Sequence, residues 1–596
     1  MLLLALLTTA LLAGSWLLRS RGLDAGLEGA VYRLLLGLLV VVTLLLPLVP
    51  YSLNVAGGIL IVVAVVGMTR EVFRRRPESP RPIRIASAPL NALETACAVA
   101  LFAMGLGMLI RALAPPVHPE ALAIHFALAK DAILEGRIVP MERHPLSDGV
   151  DLGRATRALL YLWQSAITLS AWQALTALTA TAALYALVLR VATRQAALLS
   201  ATAFAAMPAW LNGALTGGND LLAAAYLFAA LAAFERWRQE GQSICGVLAG
   251  VLMGGACATG AIGWLALPAW LVLLLMGGPR GPVRSVILGL TPLLTIAAVW
   301  WAVASSVPGE SRGLDAMRVW LSLSGSPSLD FLATRLDSAS MVPQGRWPFF
   351  AWDAYMRPAW FEGPWFSPGP LAIALGPPAM LWCGRDARRL GLFAIAMGIA
   401  VMIAVPSTRL LLPTSAMMIA VAAVAVERSP RLRRLGLAAF AVAIAGGLAL
   451  HGLTAADRMR VVAGLESRDA FRARHIPASP ALAWCNTHFE EGALLSFDPH
   501  AFLLESPAFV NYTALFSLQG EPAWRQTQWL EERNLRYIVY PETALLADDR
   551  FRSSGLAAIV RRWQLNSNRF IQRAVFHDAD GGVTYIYEMR DVDATF

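Results

Sequence analysis

Residues 190–238 read RVATRQAALLSATAFAAMPAWLNGALTGGNDLLAAAYLFAALAAFERWR, two apolar stretches joined by a short polar turn. The stretches, near 195–212 and 220–235, are each close to the length of a membrane-spanning helix. Arginines stand at the outer ends of this segment, and the turn between the stretches has none. Because arginine gathers on the cytoplasmic side of membrane helices, the segment predicts a hairpin of two spans whose joining turn is external.

The same alternation continues along the whole chain. Arginine-rich gaps between apolar stretches recur at Arg19 and Arg21, Arg70 to Arg84, Arg280 and Arg284, Arg385 to Arg389, and Arg428 to Arg434. Two long gaps, 114–166 and 307–368, and the polar tail after about 451 fall on the opposite side. We therefore expect all three to be external, and we expect any chemistry to be located there.

The composition supports a membrane protein. Of the 596 residues, 57% are hydrophobic and 15% are charged, which is too apolar for a soluble chain of this length. We count about fourteen apolar stretches that can span a bilayer. The net charge of +9 is concentrated in the cytoplasmic gaps, where arginines interact with anionic lipid headgroups. No nucleic-acid partner is therefore implied. We expect a multi-pass protein of the bacterial inner membrane.

Changes in composition divide the chain into three parts. Residues 1–91 form a group of three spans and a basic, proline-rich cytoplasmic linker. Residues 92–453 carry the remaining spans and both external loops. Residues 454–596 contain short β-type runs, GALLSFD, RYIVYP and VTYIYEMR, that alternate with helical stretches. This pattern predicts a small α/β domain on the external face.

The first long loop contains a predicted helix at 120–134 whose apolar residues are spaced as on one face, so we expect it to lie along the membrane surface. Gly136 is expected to end it. Glu120 opens the helix, where a carboxylate is favoured by the helix dipole or alternatively faces a site. His125 lies five residues further on, about 140° around an α-helix, so we expect the two side chains on different faces.

The loop also carries a resemblance to a known family. The runs EALAIHFALAK at 120–130 and EGRI at 135–138 resemble the first external loop of bacterial GT-C glycosyltransferases, such as protein O-mannosyltransferases and the aminoarabinose transferases acting on lipid A. The family's pattern there is an aspartate, a Tyr-His pair, Pro-Lys and a later Gly-x-Ile. This chain has Ile124 in place of the tyrosine, and the other places are occupied by Glu120, His125, Lys130, Gly136 and Ile138.

Further segments agree with the family in their order along the chain. Asn219-Asp220 with ERW at 235–237 is similar to a span that begins with aspartate and ends in a basic aromatic tip. FEGPWFSPGP at 361–370 resembles the glycine-rich entry to a later span, and TRLLLP at 408–413 resembles an Arg-Tyr-Leu-Leu-Pro motif. The resemblance covers about 92–453.

The resemblance implies a sugar donor linked to polyprenyl phosphate and a protein, lipid or glycan acceptor. Glu120 is then the candidate base, because a carboxylate can take the acceptor's proton. His125 is its candidate catalytic partner. Lys130, Arg357 and Arg409 are candidates for the donor phosphate. Asp220 is a candidate to line the site. From the residues alone, Arg409 is alternatively a membrane anchor, although its place on the arginine-poor side favours the phosphate role. Asp220 is equally a helix cap.

Two other interpretations stay open. A polytopic transporter is expected to show paired halves with interrupted spans, and the sequence has no such symmetry. A GT-C-like scaffold without catalysis is the second alternative, because Glu120 and Ile124 depart from the family's pattern. His118 and His144 lack metal-ligand spacing, so we expect neither a metal nor another cofactor.

Overall fold

In the computed structural model the chain is mostly helical, with a small sheet near its C-terminus. The structure describes residues 2–19, 23, 26–74, 89–139, 141, 143–144, 150–276, 281–306, 350–357, 367–404, 407–489, 493–498, 500–505, 508–510, 518, 520–546, 555–566, 568–578 and 581–590. Most of the predicted linker and of the second external loop lies outside these ranges.

Thirteen α-helices precede the second loop in the described ranges. They are α1 (Leu2–Arg19), α2 (Gly26–Leu45), α3 (Leu53–Arg74), α4 (Ala92–Leu113), α5 (Phe126–Leu134), α6 (Leu152–Tyr161), α7 (Ala166–Val191), α8 (Arg194–Ala205), α9 (Pro208–Leu215), α10 (Asp220–Glu240), α11 (Ser243–Thr259), α12 (Ala261–Leu275) and α13 (Pro282–Ser306). A π-helical turn, Ala121–His125, directly precedes α5.

Later helices are α14 (Phe350–Met356), α15 (Pro370–Ala379), α16 (Arg385–Ala404), α17 (Leu412–Arg428), α18 (Pro430–Val462), α19 (Arg468–His475), α20 (Ser479–His488), α21 (Ala523–Glu532), α22 (Glu542–Leu546) and α23 (Gly555–Leu565). The strands are β1 (Ala493–Ser496), β2 (Ala508–Phe509), β3 (Leu535–Pro541), β4 (Phe570–His577) and β5 (Val583–Met589).

Five described helices are long and apolar enough to cross a membrane: α2, α4, α7, α13 and α18. The α8–α9 pair makes a sixth if it counts as one broken span. The predicted helical membrane fold is confirmed, and the figure of about fourteen spans stays a prediction.

The hairpin at 190–238 forms, but its first arm is bent. Helices α8 and α9 meet at an angle of 59°. Pro208 has no N–H to continue α8 and pushes Met207 into an extended conformation, with φ −68° and ψ 136°. The predicted single span at 195–212 is therefore two helices.

Helices α10 and α17 form the centre of the bundle. Every residue from Leu221 to Glu235 in α10 and from Leu412 to Val426 in α17 is buried. Such all-round burial explains why α10 shows little amphipathic character. Asp220 begins α10 and Arg409 lies just before α17. The two central helices thus begin at the same end of the bundle and carry a charged residue there.

The predicted α/β character of the tail is confirmed by a five-stranded sheet of order β2-β1-β3-β5-β4. Strand β1 runs parallel to β2 and β3, whereas β3, β5 and β4 are antiparallel. The three β-type runs seen in the sequence correspond to β1, β3 and β5. The boundary at 454 stays a prediction.

The loop helix α5 differs from its expected environment, because protein covers two of its faces. Leu122, Phe126 and Ala129 pack into the core of the helical bundle. Ile124 and Leu128 pack into the core beneath the C-terminal sheet. The C-terminal domain therefore lies against the first long loop.

Candidate functional site

Glu120 lies at the start of a helical turn that differs from an α-helix. The N–H of Phe126 bonds to the carbonyl of Ala121, five residues back, so Ala121–His125 is π-helical. A π-turn holds more residues than an α-turn, which returns position 125 to the side of the helix that carries position 120. His125 Nε2 lies 3.3 Å from Glu120 Oε1. The expectation that these side chains occupy different faces was therefore wrong.

Arg409 joins this pair to the other candidate carboxylate. Its Nη1 donates to Glu120 Oε1 at 2.6 Å. Its Nε and Nη2 donate to Asp220 Oδ2 at 3.0 Å and 2.6 Å. The structure thus brings together four of the six residues selected from the sequence, Glu120, His125, Asp220 and Arg409. We call them the carboxylate–arginine centre.

The centre is buried unevenly. Glu120 is 2% exposed, and its Oε2 has no hydrogen-bond partner among the described residues. The Arg409 and Asp220 side chains retain 22% and 18% of their exposure. Solvent or a ligand can therefore reach the cation more readily than the carboxylate of Glu120.

Electrostatics keep Glu120 ionised despite its burial. Burial alone raises the pKa of its carboxyl group, but Arg409 and His125 outweigh this effect and lower the pKa to about 2. Burial lowers the pKa of His125, because desolvation disfavours the imidazolium more than Glu120 stabilises it. We therefore expect an ionised carboxylate beside a neutral imidazole at pH 7.

Two glycines allow the arginine to approach. A Cβ on Gly218 would lie 2.9 Å from Arg409 Nη2 and 3.4 Å from His125 Nε2. Gly217, with φ of +77°, would place a Cβ 3.2 Å from His125 Cβ. The sequence TGGND at 216–220 therefore fits closely around the site. The sequence analysis did not identify its two glycines as site residues.

Sequence reasoning also missed two polar pairs next to the centre. His118 Nε2 lies 3.0 Å from Asn212 Oδ1, and burial lowers the pKa of His118 to about 4. Arg157 in α6 donates from Nη1 to Asn219 Oδ1 at 2.6 Å, next to Asp220. The available signal was the position of Arg157 on the arginine-poor side, where membrane topology does not call for an arginine.

The contacts described for the remaining two candidates are with residues outside the centre. Lys130 Nζ donates to the carbonyl of Phe502 at 3.4 Å, and Lys130 is about 15 Å along the helix from Glu120. Arg357 comes directly after α14, and its Nε lies 3.9 Å from Asp353 Oδ1. The roles assigned to these two residues stay predictions.

The described residues contain no group of three or more His, Cys, Asp or Glu side chains placed to hold a metal ion. His118 and His144 accordingly have other partners. His144 Nε2 lies 2.7 Å from Asp131 Oδ2.

Comparison with solved structures shows which fold the chain has. The fold is similar to that of ArnT, so the GT-C resemblance seen in the sequence is confirmed at the level of the fold. The chain is similar to ArnT from Cupriavidus metallidurans bound to undecaprenyl phosphate, with a TM-score of 0.50 and 16% identity over 82% of this chain and 96% of ArnT. No family model and no curated protein sequence matches it.

Two further structures are similar at lower scores. ArnT from the same organism in the apo state has a TM-score of 0.49 at 16% identity, covering 83% of this chain and 98% of ArnT. The archaeal oligosaccharyltransferase AglB from Archaeoglobus fulgidus, in complex with an inhibitory peptide and a dolichol-phosphate, has a TM-score of 0.45 at 14% identity, covering 82% and 74% of the two chains.

Proposed function

We propose that this protein is an integral membrane glycosyltransferase that moves a sugar from a polyprenyl-phosphate donor to an acceptor on the external face of the bacterial inner membrane. The fold it shares with ArnT, which was solved with undecaprenyl phosphate bound, supports a lipid-linked donor. The carboxylate–arginine centre supplies the residue types that such a transfer needs.

The observation that carries the proposal is the pairing of Glu120. Its Oε1 lies within hydrogen-bonding distance of Arg409 and His125, while its buried Oε2 has no partner in the described structure. A buried carboxylate oxygen without a donor is costly, and a hydroxyl or amide of an incoming acceptor would satisfy it. Glu120 Oε2 is therefore our candidate to take the acceptor's proton.

The proposed transfer exchanges one bond at the anomeric carbon for another. The acceptor oxygen or nitrogen attacks the anomeric carbon and loses its proton to Glu120 Oε2. The bond between the anomeric carbon and the phosphate oxygen breaks, and the phosphate leaves with the electron pair. Because the leaving group gains negative charge, Arg409 can stabilise it through parallel hydrogen bonds.

Arg409 also links donor binding to the strength of the base. A carboxylate with a pKa near 2 is a weak base at neutral pH, because a base works best near the working pH. A donor phosphate that draws Arg409 away from Glu120 leaves burial to dominate, which raises the pKa of Glu120. Binding of the donor would thus activate the base.

The other candidates take supporting roles in this proposal. His125 positions Glu120 Oε1, and Asp220 holds Arg409 at the start of α10. Lys130 and Arg357 are proposed as further phosphate contacts. The transmembrane core is proposed to span 92–453, with the tail domain at 454–596. No cofactor is proposed beyond the donor lipid itself.

Transfer of radiolabelled sugar tests the proposal. Purified full-length protein is supplied with polyprenyl-phosphate hexose or pentose and with cell-envelope extract as the acceptor source. We expect Glu120→Gln to lower turnover about 10²- to 10⁴-fold. Glu135→Gln is the matched control, since Glu135 lies in the same loop with its side chain 37% exposed.

Equal turnover of wild type and Glu120→Gln would remove Glu120 as the base. Donor binding without transfer by wild type, for every donor and extract, would favour the non-catalytic scaffold.

A further inference from the structure

A polar cavity lies beside the first long loop, and His118 and Phe126 of that loop form part of its wall. Its solvent-accessible interior is small, about 30 Å³, and it is lined by residues of α4, α5, α7, α9 and α18 and by residues 115–118. Its polar lining includes Arg111, Arg458, His118 and Gln173. None of these residues has a part in the proposed transfer.

Arg111 is a buried cation without a carboxylate partner among the described residues. It is 4% exposed, and its Nη1 lies 3.1 Å from His451 Nδ1. Its Nη2 donates to the carbonyl of His451 at 2.6 Å and to Thr454 Oγ1. These partners are all neutral acceptors, and Nε has none. A buried charge of this kind is stable only if it acquires an opposite charge or further hydrogen bonds.

Arg458 brings a second positive charge to the same cavity. Its Nη1 donates to the carbonyl of Thr454 at 3.1 Å and lies 4.0 Å from Asp457 Oδ2. Asp457 is already engaged by Arg474 at 2.5 Å and by His475 at 2.9 Å. The cavity therefore has an excess of positive charge, which an anion would neutralise.

Two further buried polar atoms face no partner in the described structure, His118 Nδ1 and Gln173 Oε1. Apart from Ser170, the rest of the lining is apolar and includes Met108, Phe126 and Leu215. Arg111 lies in the last turn of α4, one of the candidate membrane spans. A cationic end with apolar walls at the end of a span suits an amphiphile with an anionic headgroup.

We propose that this cavity binds the phosphate of an anionic membrane phospholipid between Arg111 and Arg458, as a lipid site separate from the carboxylate–arginine centre. The phosphate accepts hydrogen bonds from both guanidinium groups, and the acyl chains stay outside the cavity, in the bilayer. His118 and Phe126 border the cavity and adjoin Glu120 and His125 in sequence, so an occupied site would buttress the loop that carries the centre.

Native mass spectrometry of the full-length protein tests this proposal. Protein delipidated in a neutral detergent is titrated with phosphatidylglycerol or with phosphatidylcholine of the same acyl chains. We expect one phosphatidylglycerol to bind with about tenfold preference, and Arg458→Gln to abolish that preference. Arg460→Gln is the matched control, because Arg460 is exposed on the same helix.

Arg111→Gln and Arg458→Lys complete the series. The first should also lose the preference, and the second should regain part of it because it restores the charge. Thermal unfolding of each variant shows whether the fold is retained. If Arg111→Gln fails to fold, the Arg458 variants still test the proposal, because Arg458 is less buried than Arg111. An unchanged preference in Arg458→Gln, or an equal loss in Arg460→Gln, would overturn the proposal.

Competition identifies the source of the phosphate. Inorganic phosphate that displaces phosphatidylglycerol at millimolar concentration would overturn the lipid assignment in favour of a free-anion site. Undecaprenyl phosphate that displaces it with the same dependence on Arg458 would reassign the cavity to the donor lipid. Failure of both to compete supports the phospholipid.

Discussion

Arg409 holds two carboxylates with one guanidinium, and this sharing decides the chemistry of each. Glu120 receives one N–H, and Asp220 receives two. Because a guanidinium has five N–H groups, a donor phosphate must share them with these carboxylates or displace one of them. Glu120, held by a single N–H, is the partner more readily displaced. Ligand binding at Arg409 and the basicity of Glu120 are thus coupled through one side chain, because a ligand that displaces Glu120 from Arg409 raises the pKa of Glu120.

This coupling predicts two different pH profiles. For kcat/KM, which reports the free enzyme, we expect no acid limb from Glu120 above pH 3, since the pKa of Glu120 is about 2 and its ionised form persists until the pH falls through that value. For kcat, which reports the donor complex, the limb should move to higher pH and enter the measured range. Steady-state transfer between pH 3 and 8 tests this difference. The same profile for both constants would show that donor binding does not free Glu120.

Gly218 provides a second test at the scale of one atom. A methyl group at this position would lie 2.9 Å from Arg409 Nη2. The guanidinium group is held by Glu120 on one side and Asp220 on the other, which limits how far it can shift. We expect Gly218→Ala to weaken donor binding about tenfold, with a small change in unfolding temperature. Gly446→Ala is the control, as nothing lies within 4 Å of its added Cβ. Equal donor affinity in both variants would contradict the close fit.

At the scale of elements, the turn before α5 is where sequence reasoning failed. The spacing of Glu120 and His125 places them about 140° apart if an α-helix is assumed. The extra residue of the π-turn is fixed by packing on two sides, with Leu122 facing the bundle and Ile124 facing the C-terminal sheet. No local pattern in the sequence contains that tertiary constraint.

Helix α5, which follows this turn, is linked to the C-terminal domain through Asp131. Its Oδ2 accepts from Arg143 Nε at 2.9 Å, and the carbonyl of Arg143 accepts from the N–H of Val510 at 2.9 Å. We expect Asp131→Asn to lower the free energy of unfolding by about 2–3 kcal/mol, because a buried cation contact is lost. Chemical denaturation measures it, with Asp469→Asn as the control because the Asp469 side chain is 94% exposed.

The pH dependence of that stability has a definite sign. Burial raises the pKa of Asp131, but His144 and Arg143 outweigh it, so the folded value is lowered. Asp131 therefore contributes stability above its ordinary pKa of about 3.8, and the contribution is lost as the pH falls through the lowered value. Asp131→Asn should lack this acid-side loss. An equal loss in both proteins would assign acid sensitivity to other groups.

At the scale of the whole molecule, hydropathy, charge and order along the chain were sufficient to predict the coarse features. The helical membrane class, three strands of the tail and Gly136 at the end of α5, with φ of +70°, are confirmed. Glu120, Asp220 and Arg409 meet because the loop and the two central helices converge at one end of the bundle. The sequence could not place Lys130 against Phe502, since that contact joins residues far apart in the chain.

The orientation of the molecule in the membrane is the remaining prediction, and the chain is well suited to test it. All five native cysteines are buried, so a membrane-impermeant maleimide should label little of the wild type. Trp524→Cys is at an exposed position of the C-terminal domain, and Arg434→Cys is at an exposed position in the arginine-rich first turns of α18. Since arginine-rich ends are cytoplasmic, we expect position 524 to label in intact spheroplasts and position 434 only in inside-out vesicles. Because the C-terminal domain packs on the loop that carries Glu120, labelling of position 524 from the cytoplasmic side would place the centre in the cytosol and reverse the proposed direction of donor access.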